Sequence, residues 1–237
     1  LLLSGQVIGA EALVRIKAAD GSLISPANFI PLAEETGLIV PLGKQVLIKA
    51  CYQTAKWLAQ GIRLVVSVNV AAAQFSDPAF LPLIRQTLAE SRLPPELLEL
   101  ELTETALIGN PLFTAEILEK CRQLGIKVAI DDFGTGYSSL GYLKKFKVDV
   151  LKIDMSFVKD MLVDKSDEKI VKTIISLGQS MNIRLVAEGI ETEAHRDRLL
   201  QLGCECGQGY YFSKPLPTED FMRYLGKSGI TNETLKA

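Results

Sequence analysis

The chain has 237 residues, 48% of them hydrophobic, and a formal net charge of -2. That is enough apolar material for one sizeable core, and a near balance of charge without a Lys/Arg run argues against a nucleic-acid polymer or a membrane surface as partner. No apolar stretch reaches the roughly 18 residues of a bilayer span, the opening LLL is too short for a signal peptide, and four cysteines without a CxxC pair point to a reduced, cytoplasmic chain.

Taken in chain order, GAEALVR (9–15) places Glu11 and Arg15 on a strand and its exit. SPANFIPLAEETG starts a helix with Ser25 as N-cap and Pro26 at the first helical position, and Gly37 stops it. A longer amphipathic helix covers 42–60 and closes at Gly61, followed by the strand RLVVSVNV over 63–70. A helix after Asp77-Pro78 leads to a strand at 97–103, and another from Pro111 ends at Gly125 before the strand KVAID. VDVLKID is the next strand, followed by a helix over 166–181, the strand RLVAE, a helix over 192–202 and a last strand near GQGYYF. Marked residues at 69, 101, 131, 152, 188 and 208 recur at steps of 20 to 36 residues, close to one unit of a barrel of alternating strands and helices. No linker or low-complexity run interrupts the pattern, so a single domain over 1–226 is expected, with a polar tail over 227–237.

The apolar runs end in carboxylates: Glu11, Glu101 and Glu104, Asp131 and Asp132, Glu188, with Asn69, Lys152 and Asp154 at two further exits. An acid at the end of a buried strand is costly unless a positive charge meets it. The chain has one histidine, His195, which cannot neutralise so many acids and excludes His-rich zinc sites and His-based triads. The remaining solution is an oxygen-rich cation site, which favours magnesium or manganese. Adjacent Asp131 and Asp132 in DDFGTGYSSL suit two cations sharing one carboxylate, with Gly134 and Gly136 letting the loop turn. The plainer alternative is a Gly-rich turn whose acids cap a helix. Plainer readings are preferred for Cys204 and Cys206 (packing), His195 (exposed beside Arg196, Asp197 and Arg198), and Trp57 and Tyr52 (packing on an amphipathic helix).

EALVR, SPANFIPLAEETGLI, NV, ELTE, DDFGTGYSSL, LKID, AEGIE and QGYYFSKPL, in that order over about residues 9 to 217, resemble the EAL-domain family of bacterial cyclic-di-GMP phosphodiesterases. The resemblance implies an α/β fold, a (β/α)8 TIM-barrel variant of EAL type with one early strand antiparallel. It implies hydrolysis of cyclic-di-GMP to linear pGpG with two Mg2+ or Mn2+ ions. One ion would be held by Glu11, Asn69, Glu101 and Asp131, the other by Asp131 and Asp132 with Glu188 close by. Lys152 would position the attacking water, so that Glu11, Lys152 and Glu188 carry the catalysis. Leu13, Arg15, Asp132, Lys152, Glu191 and Gln208 would seat the dinucleotide, and Glu104 would anchor the DDFGTGYSS loop. Tyr210, Tyr211 and Phe212 follow Gln208 at a strand exit and leave two readings open, packing or one of them stacking on guanine. A homodimer, an upstream regulatory or sensory domain, and a cytoplasmic place (in a free or a membrane-anchored protein) are also implied. Two departures stand out: Ile16 replaces an aromatic residue the family often has, and the family's first strand is not visible, so the start reads as incomplete. The alternative function is a receptor that binds the dinucleotide without cutting it, or an interaction scaffold.

Overall fold

The computed structural model describes residues 1–136 and 140–227. Tyr137, Ser138 and Ser139 of the Gly-rich loop, and the expected tail from residue 228 on, lie outside the described residues. Two compact units result, one built from Gly9–Leu102 with Glu119–Lys127, the other from Leu1–Ile8, Thr103–Leu118 and the residues from Val128 on.

The first unit opens with β1 (Gly9–Glu11), the two-residue strands β2 (Ile16–Lys17) and β3 (Leu23–Ile24), and helices α1 (Pro26–Glu35) and α2 (Ile39–Ala59). It continues through β4 (Val65–Asn69), α3 (Ala72–Phe75), α4 (Phe80–Ser91), a 3-10 turn (Pro95–Leu97) and β5 (Leu98–Thr103), whose last residue belongs to the other unit. β1 and β5 flank β4, and both pair with it in parallel. An antiparallel pair early in the chain is formed by β2 and β3, a two-stranded sheet separate from the larger parallel one, rather than by a strand within it. On β4 the alternation is plain: Val66 and Val68 are buried, while Ser67 and Asn69 point to the opposite face, where the register sets them beside Glu99 and Glu101. Leu98, Leu100 and Leu102 are fully buried on β5, each contributing about 1.5–3 kcal/mol of burial. α2 starts three residues earlier than the apolar spacing predicts, because Ile39 is itself buried.

The second unit holds α5 (Glu104–Ile108) and α6 (Pro111–Gln123), whose last turn belongs to the first unit, then β6 (Lys127–Phe133) and α7 (Leu140–Phe146). After these come β7 (Val150–Ile153), α8 (Met155–Asp160), α9 (Lys165–Met181), β8 (Arg184–Ala187), α10 (Glu193–Gln201), β9 (Cys206–Gly207) and α11 (Thr218–Lys227). β6 to β9 pair in parallel and in chain order. All four residues of β7 are buried, including Lys152, so the strand is covered on both faces, as parallel strands are. The expected strand at GQGYYF is corrected: β9 is only Cys206–Gly207, and Gln208 onward turns away. His195 is also corrected, since it is 7% exposed. Thr192 caps α10 by accepting the His195 N–H at 3.2 Å, which aligns His195 with buried Leu199 four residues on, one turn apart on the inner face.

Candidate metal centre

In the first unit, the side-chain amide of Asn69 donates to Glu11 Oε1 at 2.7 Å. Parallel pairing explains why two residues 58 positions apart meet: Glu11 lies opposite Ser67, and Ala12 N–H donates to Ser67 O at 2.9 Å. Glu101 pairs in register with Asn69, accepts the Val70 N–H on its carbonyl at 2.9 Å, and is 2% exposed. Glu11, Asn69 and Glu101 thus cluster at the C-terminal ends of three parallel strands. Beyond β1, Leu13 and Arg15 are exposed, with Arg15 Nη1 donating to the Val14 carbonyl at 2.7 Å.

In the second unit, Asp131, Asp132 and Glu188 each offer a carboxylate oxygen, all within 4.8 Å of one another. Adjacent residues of a regular strand face opposite ways, so both aspartates reach one point only because β6 is irregular. Ile130 pairs with Leu151 and Phe133 with Ile153, which leaves Asp131 and Asp132 together opposite the single residue Lys152. This is a β-bulge, a device that re-aims side chains beside functional sites. Asp132 takes φ +52°, a left-handed conformation that aspartate tolerates and most residues do not.

Lys152, with its side chain 3% exposed, places Nζ 2.9 Å from Asp131 Oδ1 and 2.8 Å from Glu188 Oε1. Gln208 Nε2 donates to the same Glu188 oxygen at 2.8 Å. Asp154 caps α8, accepting the Ser156 N–H at 2.9 Å and the Ser156 hydroxyl, and shares a hydrogen bond with Asp132. Burial, then the Asp131 charge, then the bond to Asp154 lift the Asp132 carboxyl to about 6. Burial pushes Asp154 up as well, but hydrogen bonds from Ser156 and Asp132 outweigh it and hold that carboxyl below the usual range.

The donor set fits a hard divalent cation. Three carboxylates within 4.8 Å repel by about 3 kcal/mol per pair at an effective dielectric near 20, and one ammonium offsets only part of that. Oxygen-only donors select Mg2+, Mn2+ or Ca2+ over softer metals.

Glu104 begins α5 after Thr103, whose hydroxyl accepts the Ala106 N–H at 3.4 Å. Its carboxylate is buried against Gly136, where a Cβ would stand 3.2 Å from Glu104 Cδ and Oε2. Glu191 is exposed just past Gly189. Sequence reasoning missed Asp154 as a partner of Asp132, although an aspartate right after an apolar strand and two residues before Ser156 is a capping signal. The turn after β9 is fixed by Gly209: a Cβ there would sit 2.3 Å from both Ile190 N and Ile190 O. Backbone cannot yield by that much, so Gly209→Ala is expected to cost at least about 1–3 kcal/mol of stability and to pull Gln208 off Glu188. Thermal melts with and without Mn2+ check this, the variant showing a lower Tm and a smaller gain from the metal.

Comparison with known proteins supplies the context. The family model described as "EAL domain" matches residues 2–215. The chain is 42% identical over 220 residues to the signaling protein YkoW of Bacillus subtilis, covering 93% of this chain and 28% of YkoW. It is 41% identical over 220 residues to MucR of Pseudomonas aeruginosa, named a bifunctional diguanylate cyclase/cyclic di-GMP phosphodiesterase, covering 92% of this chain and 32% of MucR. The chain therefore spans about a third of the length of these curated relatives. Among solved structures, the MucR phosphodiesterase in complex with c-di-GMP matches with a TM-score of 0.88 and 42% identity, over 90% of this chain and 87% of that one. The fold class is that of this structure, an α/β barrel variant with a mostly parallel sheet.

Proposed function

The chain belongs to the EAL domain family, and from that premise we propose that it hydrolyses cyclic-di-GMP to linear pGpG. The observation that carries the reading is the bulge that turns Asp131 and Asp132 toward Glu188, with Lys152 buried between Asp131 and Glu188. Asp131, Asp132 and Glu188 would hold divalent metal, with Glu11, Asn69 and Glu101 as further ligands by family resemblance. When bound, two Mg2+ or Mn2+ ions supply charge neutralisation and an acidified water.

The protein's own contributions follow from its geometry. Lys152 holds Asp131 and Glu188 in place and carries positive charge at the point where a phosphodiester, itself anionic, has to approach. Gln208, by donating to Glu188, fixes that carboxylate, and by family resemblance would also contact the dinucleotide. Leu13, Arg15 and Glu191, exposed beside strand ends, would contact the dinucleotide, with Asp132 and Lys152 touching the reacting phosphate. Glu104 would anchor the Gly-rich loop at Gly136. Incubation with cyclic-di-GMP and Mg2+, followed by chromatography, should yield pGpG; recovery of intact dinucleotide at all metal concentrations would overturn the proposal.

Residues 1–226 would form one hydrolase domain, acting in the cytoplasm within a longer protein that carries an upstream sensory or regulatory domain; that YkoW and MucR are about three times as long as this chain supports the longer protein. No helix among the described residues is long and apolar enough to cross a membrane. We also propose a homodimer, from family resemblance. Its expected signature is activity per chain that falls on dilution in step with dissociation seen by light scattering. Constant activity in a range where only monomer scatters would contradict it.

A further inference from the structure

We infer that Tyr210 is the stacking platform for one guanine base of the dinucleotide, an inference that rests on the phosphodiesterase reading above. Three aromatic residues follow Gln208, and the structure distinguishes them. Tyr211 is committed elsewhere: its hydroxyl accepts from Arg196 Nη1 at 2.9 Å, and the Arg196 guanidinium lies 5.6 Å from its ring centroid. Phe212 is half-buried and packs edge-on against Tyr211, with centroids 5.0 Å apart at 78°. Tyr210 is left 62% exposed, with Lys214 Nζ 5.8 Å from its ring centroid as its one ring contact among the described residues.

The backbone ties the segment that carries this ring to the exit of β8. Gln208 N–H donates to Ala187 O at 2.8 Å, Ile190 N–H to Gln208 O at 3.1 Å, and Tyr211 N–H to Ile190 O at 2.9 Å. Gly209, pressed on Ile190, permits this clamp. Tyr210 therefore lies two residues from the side chain that touches Glu188, on a segment tied at both ends to the exit of β8. A base is carried one ribose away from its phosphate, so a phosphate at Glu188 brings a purine face within reach of this ring. An aromatic ring kept in water, beside a cation, gains by covering its face with a base.

Stacking is formed equally in the ground state and the transition state, so it acts on KM and leaves kcat in place. Initial rates with cyclic-di-GMP and Mg2+ should show KM raised about 5- to 100-fold by Tyr210→Ala and by Tyr210→Leu, with kcat within about twofold of wild type. Tyr210→Phe should match wild type, because the hydroxyl is not needed for stacking. The Tm gain on adding Mn2+ should be the same in all four proteins, since none of these changes touches the acids. The inference is overturned if Tyr210→Ala keeps the wild-type KM, if Tyr210→Leu restores it, or if kcat falls while KM stays. In those cases the wild type still cleaves cyclic-di-GMP and the phosphodiesterase reading survives. If the wild type leaves the dinucleotide intact, both fall together.

Discussion

Replacing Lys152 by methionine is expected to leave the metal-free protein markedly less stable and nearly inactive. Methionine keeps most of the stem that fills β7 and removes only the ammonium, so packing loss is minor and charge is the variable. Lys152 has a side chain 3% exposed and lies within 2.9 Å of Asp131 and Glu188, themselves 13% and 14% exposed. Taking away one member of a buried, hydrogen-bonded charge set typically costs about 3–5 kcal/mol, because the partners stay buried without compensation. For a chain of this size that amounts to a Tm lowered by roughly 6 to 20 °C in EDTA. Divalent metal should restore a larger part of the Tm in the variant than it adds to wild type, because the cation then takes over the neutralising role. Activity should remain down by about 10²–10⁴-fold even with metal saturated, if the ammonium also orients the nucleophile. Melting curves in EDTA and in Mn2+, beside initial rates, check both halves. A Tm equal to wild type in EDTA would show that Lys152 is not the charge that balances this site.

The residues that make this prediction possible were only partly legible in the sequence. Strands β4 to β8 announce themselves as apolar runs that end in Asn69, Glu101, Asp131, Lys152 and Glu188, and parallel pairing then delivers those ends to one side of each unit. The α/β class followed from that alternation. The short helices α3, α5, α7 and α8 escaped, since four to seven residues are too few to show a 3.6-residue period, and the ten-residue α11 was not expected either. The bulge in β6 was not legible either: two adjacent aspartates at a strand end say nothing about which way each points, and a regular strand would have sent them apart. His195 was misread because its neighbours Arg196, Asp197 and Arg198 are polar, whereas the cap at Thr192 sets the rotation of α10 and turns His195 inward with Leu199. The GQGYYF segment has the β-rich composition of a strand, and the close approach of Gly209 to Ile190 decides against it. In each miss, a local sequence preference was overridden by a contact with a residue distant in the chain or by the phase of a cap.

Asp132→Asn should separate stability from catalysis. Asparagine tolerates the φ of +52° found here about as well as aspartate, so the change removes charge without adding backbone strain. With metal present, cyclic-di-GMP affinity should change little while kcat falls by two or more orders of magnitude, about 1.4 kcal/mol per tenfold, because in the proposed site Asp131 would still hold one ion while water activation would weaken. Without metal the sign reverses. The Asp132 carboxyl is raised from 3.8 to about 6, chiefly by burial and by the Asp131 charge. A raised pKa means that the folded state binds the proton more tightly than the unfolded chain. Its favourable contribution is complete below about pH 4 and is lost as the pH rises to about 6, beyond which the ionised carboxylate destabilises the fold. Asparagine cannot ionise, so wild type and variant should melt alike near pH 4, diverge between pH 4 and 6, and keep a constant gap above that, with the variant higher. The gap is tempered by the exposure of Asp132 to water. The same proton competes with metal, so wild-type Mn2+ affinity should weaken below about pH 6, and this part of the pH dependence should vanish in the variant. Melts in EDTA across pH 4–8, with titration calorimetry of Mn2+, read both effects. A variant less stable than wild type at pH 7 without metal would mean that Asp132 is held by partners that favour its charge, and the crowded-acid account of the site would fail.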